Sequence, residues 1–283
     1  MRDGRIRIAV VAPASRLEPV FADKVLEVAR ALYPDGPLDV QFHPQCFLSW
    51  GHFAGDDEVR TEAFVDAAND ASVDALWVGR GGYGSCRIAE RAIAGLTGVA
   101  RKKTYLGYSD AGALLGGLYR HGFDRVAHGP MPADIVRENG RIAVERALAF
   151  LVDGAPDSFE PSVSPKAMTA AYNITVLSQI LGTALQPDLT GHILMLEEVS
   201  EYMYRIDRAM FHITSNPAIR KVAGIKLGRC SAIPPNDPDF SQTEEEVVRH
   251  WCVVSGIAYL GRADIGHDID NKIVPFGRLP GRG

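Results

Sequence analysis

The first half of this chain alternates short apolar runs with helix-period stripes, and that alternation limits its possible folds more than any other feature. Residues 5–12 read as a strand, and residues 19–33 carry a helical stripe through Phe21, Val25, Val28, Ala29 and Leu32. Strands over 38–43, 75–79 and 103–107 then alternate with helices over 56–71, 88–94 and 111–120. Repeated strand–helix–strand units bury their apolar faces only as a mostly parallel sheet covered on both sides. The expected fold is therefore α/β.

The rhythm changes after residue 153. Residues 154–165 are rich in Pro, Ser and Gly and read as a linker. Beyond them, short strands are expected over 191–196, 224–228 and 252–259, with one helix over 204–215. This divides the chain into an N-terminal mostly parallel α/β sandwich over 1–153 and a smaller α+β or barrel-like domain over 166–283. No repeat or low-complexity tract interrupts either part.

Charge and composition exclude several functions. Across 283 residues, 30 Lys and Arg face 35 Asp and Glu, a net charge of −5, which does not suit a phosphate-binding face for nucleic acid. No run approaches the roughly 20 apolar residues that span a bilayer. The first apolar run, Ile8 to Ala12, is too short for a secretory signal and stops at Pro13. Cys46, Cys86, Cys230 and Cys252 show neither C-x-x-C pairing nor metal-ligand spacing, so reduced thiols and a cytoplasmic location are expected.

Four segments carry candidate chemistry. Tyr105-Leu-Gly-Tyr-Ser109-Asp110-Ala-Gly112 runs an apolar strand into a sharp turn and a helix of small residues. Such an elbow lifts a serine hydroxyl to a helix N-terminus, where backbone N–H groups can hold an oxyanion. A serine capping the helix is the competing reading. Arg80-Gly81-Gly82-Tyr83-Gly84-Ser85 follows a strand at the sheet edge where α/β folds bind ligands, yet the phosphate-loop and dinucleotide spacings both fail. A plain βα turn remains open there. The run Gly191 to Leu196 ends in Glu197-Glu198, and strand alternation lets one of the pair face a site while the other is solvated or salt-bridged. Gly266-His267-Asp268-Ile-Asp270-Asn271 matches no calcium or zinc spacing, so a turn holding one functional histidine is expected rather than a metal site.

Serine, glutamate and histidine thus occur in the order Ser109, Glu197, His267. With Val11-Ala-Pro-Ala-Ser15, Arg80-Gly-Gly-Tyr-Gly84, His128-Gly-Pro-Met131, Glu197-Glu-Val-Ser-Glu201, Tyr204-Arg-Ile-Asp-Arg208 and Val274-Pro-Phe-Gly277, this order resembles the LD-carboxypeptidase family of serine peptidases. That family also includes the microcin-C self-immunity peptidases. The resemblance covers nearly the whole chain and implies Ser109 as nucleophile, His267 as general base and Glu197 as its orienting carboxylate, in a cleft between two domains. It further implies an oxyanion hole from backbone N–H groups of Asp110 and the Gly81–Gly82 loop, no metal or organic cofactor, and a homodimer. Arg80 and Arg87 are candidates, by charge, for the grip on a terminal carboxylate. The implied reaction is release of D-alanine from an L,D-linked muropeptide tetrapeptide in cell-wall recycling.

Two departures stand out. Glu198 replaces the family's usual Asp, and Ala171-Tyr172-Asn173-Ile174 replaces its usual Gly-Gly-Asn-Leu. Two rival functions are aminoacyl-nucleotide cleavage and non-catalytic ligand binding by a pseudoenzyme of the same fold. The nucleotide-cleaving branch is expected to stack its base on tryptophan between the nucleophile region and the Glu strand. Here Trp50, Trp77 and Trp251 all lie elsewhere, and 153–170 offers only Phe159 as an aromatic.

Overall fold

The computed structural model describes residues 5–34, 36 and 38–279. The first unit threads β1 (Ile6–Val11), α1 (Pro19–Leu32), β2 (Leu38–Phe42), α2 (Asp57–Asn69), β3 (Ala75–Val78), α3 (Ser85–Ala94), β4 (Thr104–Gly107), α4 (Gly112–Arg120), β5 (Val126–His128) and α5 (Arg141–Asp153). The second continues with β6 (Met168–Asn173), α6 (Ile174–Ile180), β7 (His192–Val199), α7 (Met203–Ser215), β8 (Gly224–Ser231), α8 (Glu244–Ser255), β9 (Tyr259–Arg262) and β10 (Val274–Pro275).

The strands form two sheets, β10-β5-β4-β3-β1-β2 and β6-β7-β8-β9. Every pairing is parallel except that of β10 with β5. The central strands are buried on both faces, as the apolar runs require: all four residues of β3 are buried, Trp77 among them. The Trp77 indole N–H, which would be costly to bury alone, donates to the Pro130 carbonyl at 2.8 Å.

The α/β class and the division into two units agree with the sequence reading, whereas the second unit, expected as α+β or barrel-like, alternates strands and helices on an open, parallel sheet. One element differs. Residues 252–259, expected as a strand, contain the last turn of α8. A Thr243–Glu246 capping box starts that helix, and Val247, Val248 and Cys252 bury one side at helical spacing. Val253 and Val254, which suggested a strand, point to solvent at 81% and 60% exposure. Helices α5 and α6, and strands β5 and β6, were not delineated from the sequence.

Residues 154–165 connect α5 to β6 and pack closely. Phe159 bridges Ile273, while buried Glu160 accepts from the Ser162 and Asp264 amides and pairs with Lys226. The chain then recrosses, since β10 returns to the first sheet and Gly277 exchanges two backbone hydrogen bonds with Thr169 of β6. The two sheets are therefore tied together next to the segment that carries His267. All four cysteines are free; Cys86 is exposed rather than part of the core. No described helix is long and apolar enough to cross a membrane.

Candidate active site

The β4–α4 elbow positions Ser109. After β4 ends at Gly107, Ser109 adopts φ +59°, and the turn Ser109–Ala111 leads into α4. A non-glycine residue in that left-handed region costs on the order of 1–3 kcal/mol, which the surrounding packing must offset. The strain turns the hydroxyl out of the sheet toward the second unit.

The structure brings Ser109, Glu197 and His267 together from 158 residues apart. His267 Nε2 lies 3.0 Å from Ser109 Oγ, and His267 Nδ1 lies 2.5 Å from Glu197 Oε2. Glu197 is fully buried near the end of β7, where the register with β8 shifts between Leu196 and Glu198. Its second oxygen, Oε1, has no hydrogen-bond partner among the described residues, which leaves His267 Nδ1 as the partner of the carboxylate through Oε2. Gly228 on β8 allows this approach. A Cβ there would lie 2.6 Å from Ile265 Cγ1, 2.7 Å from the Ile265 carbonyl and 3.0 Å from Glu197 Cβ. Nothing local in the sequence distinguishes Gly228 from any other strand glycine.

Glu198 corrects an expectation. It is buried rather than solvated or salt-bridged, and neutral donors satisfy it: Asn173 Nδ2 at 2.5 Å, the Val199 amide at 2.9 Å, and the Thr175 amide and hydroxyl at 2.9 and 2.7 Å. Burial nonetheless pushes its carboxyl up from the ordinary value. The substituted Ala171-Tyr172 pair is buried too; the Tyr172 ring packs 5.1 Å from Phe276 in the core. That substitution fills the seam between the sheets.

The Arg80–Ser85 loop is fastened to the elbow. The Asp110 carboxylate accepts from the Ser85 amide (2.8 Å), the Ser85 hydroxyl (2.6 Å) and the Gly84 amide (3.3 Å), at the start of α3. With its side chain so engaged, only the backbone of Asp110 remains to serve an oxyanion. Gly81 faces Ser109, since a Cβ there would sit 3.0 Å from its Oγ. Gly82, at φ +105°, lies against Ser15, whose hydroxyl is 3.5 Å from His52 Nε2. Arg80 is exposed and donates to the Arg16 carbonyl at 3.2 Å. Arg87 is committed elsewhere, in a bidentate pair with Asp57 at 2.7–3.0 Å.

The His267 loop is held by ion pairs and by the Asn271 amide side chain. Arg229 binds Asp264 and Asp268, and no group of three or more His, Cys, Asp or Glu among the described residues is arranged to hold a metal ion. Of the three tryptophans, Trp77 is core and Trp251 donates to Asp207 on α7. Only Trp50 is exposed, on a tight 50–53 turn whose His52 and Phe53 lie beside Tyr83.

Burial alone would hold the His267 imidazole neutral. The Glu197 carboxylate, through charge and its hydrogen bond, outweighs this with help from Asp134 and Glu198, so the pKa rises above 6.5. Because the raised value belongs to the folded state, the His267–Glu197 pair contributes its full stability below about pH 6.5 and loses it as pH climbs through that higher value. A base must be neutral, so activity runs the other way. The kcat/KM profile is expected to rise with pH along one limb centred above 6.5, and Glu197→Gln should move that limb down. A wild-type limb at or below 6.5 would rule out His267 as the titrating base.

With this geometry in place, comparison with known proteins is direct. Residues 8–129 match the family model of the LD-carboxypeptidase N-terminal domain, and residues 168–279 match that of the C-terminal domain. A Synechocystis sp. protein assigned as a carboxypeptidase is 31% identical over 96% of this chain and 89% of its own length. The murein tetrapeptide carboxypeptidase of Pseudomonas aeruginosa is 26% identical over 96% and 91%. Among solved structures, the muramoyltetrapeptide carboxypeptidase of Oxalobacter formigenes superposes with a TM-score of 0.77 at 22% identity, covering 96% of this chain and 92% of that one. The microcin C7 self-immunity protein MccF, in complex with glutamyl sulfamoyl guanosine, gives 0.77 at 16%, covering 97% and 92%. At those identities the structural likeness establishes the fold. The family models and the Synechocystis relative carry the family assignment: this chain belongs to the LD-carboxypeptidase family of serine peptidases.

Proposed function

We propose that the protein is a serine carboxypeptidase that hydrolyses the L,D bond before a C-terminal D-alanine of muropeptide tetrapeptides. The observation that carries this reading is the continuous hydrogen-bonded line Ser109–His267–Glu197 at the junction of the two sheets. Ser109 Oγ gives its proton to His267 Nε2 and attacks the carbonyl carbon. Glu197 holds the ring through Nδ1–H and stabilises the imidazolium that forms. Backbone N–H groups of Asp110 and of the Gly81–Gly82 loop take the oxyanion, and Arg80 at the loop's edge takes the terminal carboxylate. The imidazolium then protonates the departing amine, and a water deprotonated by His267 hydrolyses the acyl-enzyme. No step calls for a metal, so EDTA should leave turnover unchanged. Loss of activity that zinc restores would overturn this part of the reading. The family resemblance extends it to a cytoplasmic homodimer, which cell fractionation and sedimentation test.

A second reading, cleavage of aminoacyl nucleotides, draws on the exposed Trp50 and Tyr83 near Gly82. Base stacking contributes about 1–3 kcal/mol. The 128–197 span, where a base platform is expected, contains no tryptophan. Purified enzyme should therefore release D-alanine from the tetrapeptide and cleave an aminoacyl sulfamoyl-adenosine at least ~10-fold less efficiently, as about 1.4 kcal/mol of missing stacking implies. Comparing kcat/KM for both substrates on one batch decides between them, and a preference for the nucleotide reverses the assignment.

A further inference from the structure

His128 and Asn271 stand outside the relay, yet both are buried against it, at 1% and 0% exposure. His128 closes β5 as the register partner of Gly107, two residues before the nucleophile, and of Val274 on β10, just beyond the His267 loop. It therefore occupies the rung between the nucleophile's strand and the strand that follows the base. Asn271 reaches across from that loop. Its Oδ1 accepts the Gly266 amide at 3.3 Å and contacts His128 Nε2 at 3.1 Å.

The backbone amide can only donate, which settles the chemistry of the contact. The oxygen of Asn271 must face Gly266, so His128 must present a proton on Nε2. His128 stays neutral at working pH because burial pushes its pKa down to about 4. Tyr108 lies between the two histidines, 5.5 Å from the His128 ring and 4.8 Å from the His267 ring, with its hydroxyl donating to Asp134 at 2.8 Å. Arg146 fixes the far side of the loop through the Asn271 carbonyl at 3.1 Å.

We infer that His128 and Asn271 are positioning residues that lock the backbone before His267 to the nucleophile's sheet, holding Nε2 within reach of Ser109 Oγ. Two folded units must supply one reacting pair, and displacement of about 1 Å costs roughly a hundredfold in rate. A tie at the residue next to the base limits that displacement without touching substrate.

The inference rests on the hydrolase reading for its kinetic arm alone. His128→Leu and Asn271→Leu should each lower kcat by about 30-fold, as loss of an outer support does, with KM within about twofold. His128→Gln, which keeps a donor, should restore most of kcat. The double variant should be no worse than either single one, because the two act as a unit. Should His128→Leu not fold, Asn271→Ser, too short to reach His128, carries the same expectation. The independent arm is amide hydrogen exchange. Removing the acceptor in Asn271→Leu should speed exchange at 266–268 about tenfold, the value of one lost hydrogen bond, whatever the substrate. Unchanged exchange there, kcat within about twofold of wild type in a folded variant, or no recovery in His128→Gln overturns the inference. Inactive wild type with accelerated exchange in Asn271→Leu would remove the hydrolase reading and leave the tie standing.

Discussion

Ser109→Ala is expected to lower turnover of an L,D-linked tetrapeptide by at least ~10³-fold, about 4 kcal/mol of transition-state stabilisation, and His267→Ala should cost as much. The two losses should be alike because, in the proposed mechanism, nucleophile and base act as one unit and removing either disables the proton transfer. Glu197→Ala should cost less than either, since packing against Tyr108 at 4.8 Å would still orient the His267 ring to accept the proton. A fluorophosphonate probe separates chemistry from misfolding: it should label wild type and spare Ser109→Ala at equal melting temperature. Turnover near wild type in folded Ser109→Ala would end the mechanism, and labelling of neither protein would favour a non-catalytic binding role.

Gly81→Ala is expected to lower kcat/KM by at least ~10²-fold while leaving the fold intact, on the scale of losing one oxyanion donor. The added methyl would sit 3.0 Å from both Ser109 Oγ and Cβ and 3.4 Å from Met131 Cε. That volume is where a carbonyl must enter to meet the hydroxyl. Gly81 is not among the positive-φ glycines, so alanine suits its backbone and the damage should be confined to the site. The expected signature is a collapse in kcat/KM with a melting temperature within a few degrees of wild type, the ordinary scale for a change of about 1 kcal/mol. Retention of half the wild-type kcat/KM would show that the Gly81 loop does not border the reacting carbonyl. Gly82→Ala makes a poorer test, because φ +105° and a clash 2.3 Å from Ser15 Oγ would strain the loop itself.

Four of the six strands of the first sheet, β1 to β4, were legible in the sequence because each is a run of four to six residues, mostly apolar or alternating, bounded by turn signals. The expected and observed bounds of β1 to β4 differ by one or two residues, well within the fraying of element ends. The second half was harder to read. In α8, Val253 and Val254 carry a β-branched signal that local pattern cannot override, whereas the Thr243 cap and the buried Val247–Val248–Cys252 side do so in three dimensions. Glu198 shows a similar limit. Strand alternation correctly set the two glutamates apart, but whether the outer one meets water or four donors depends on where α6 begins.

The sequence by itself determined the α/β class, the elbow that exposes Ser109, and the order in which serine, glutamate and histidine occur. Those properties are local: a strand period, a turn and a capping pattern depend on neighbours a few residues away. Only the tertiary structure decided that Ser109 and His267 meet at 3.0 Å and that Glu197 is the partner of Nδ1. It also decided that Gly228 must lack a side chain and that His128 meets Asn271 of the His267 loop at 3.1 Å. The antiparallel return of β10 to β5 lies beside the His128–Asn271 contact, and the register shift after Leu196 lies at Glu197. Both bring together residues dozens to more than a hundred positions apart, and no periodicity in the chain encodes a contact of that range.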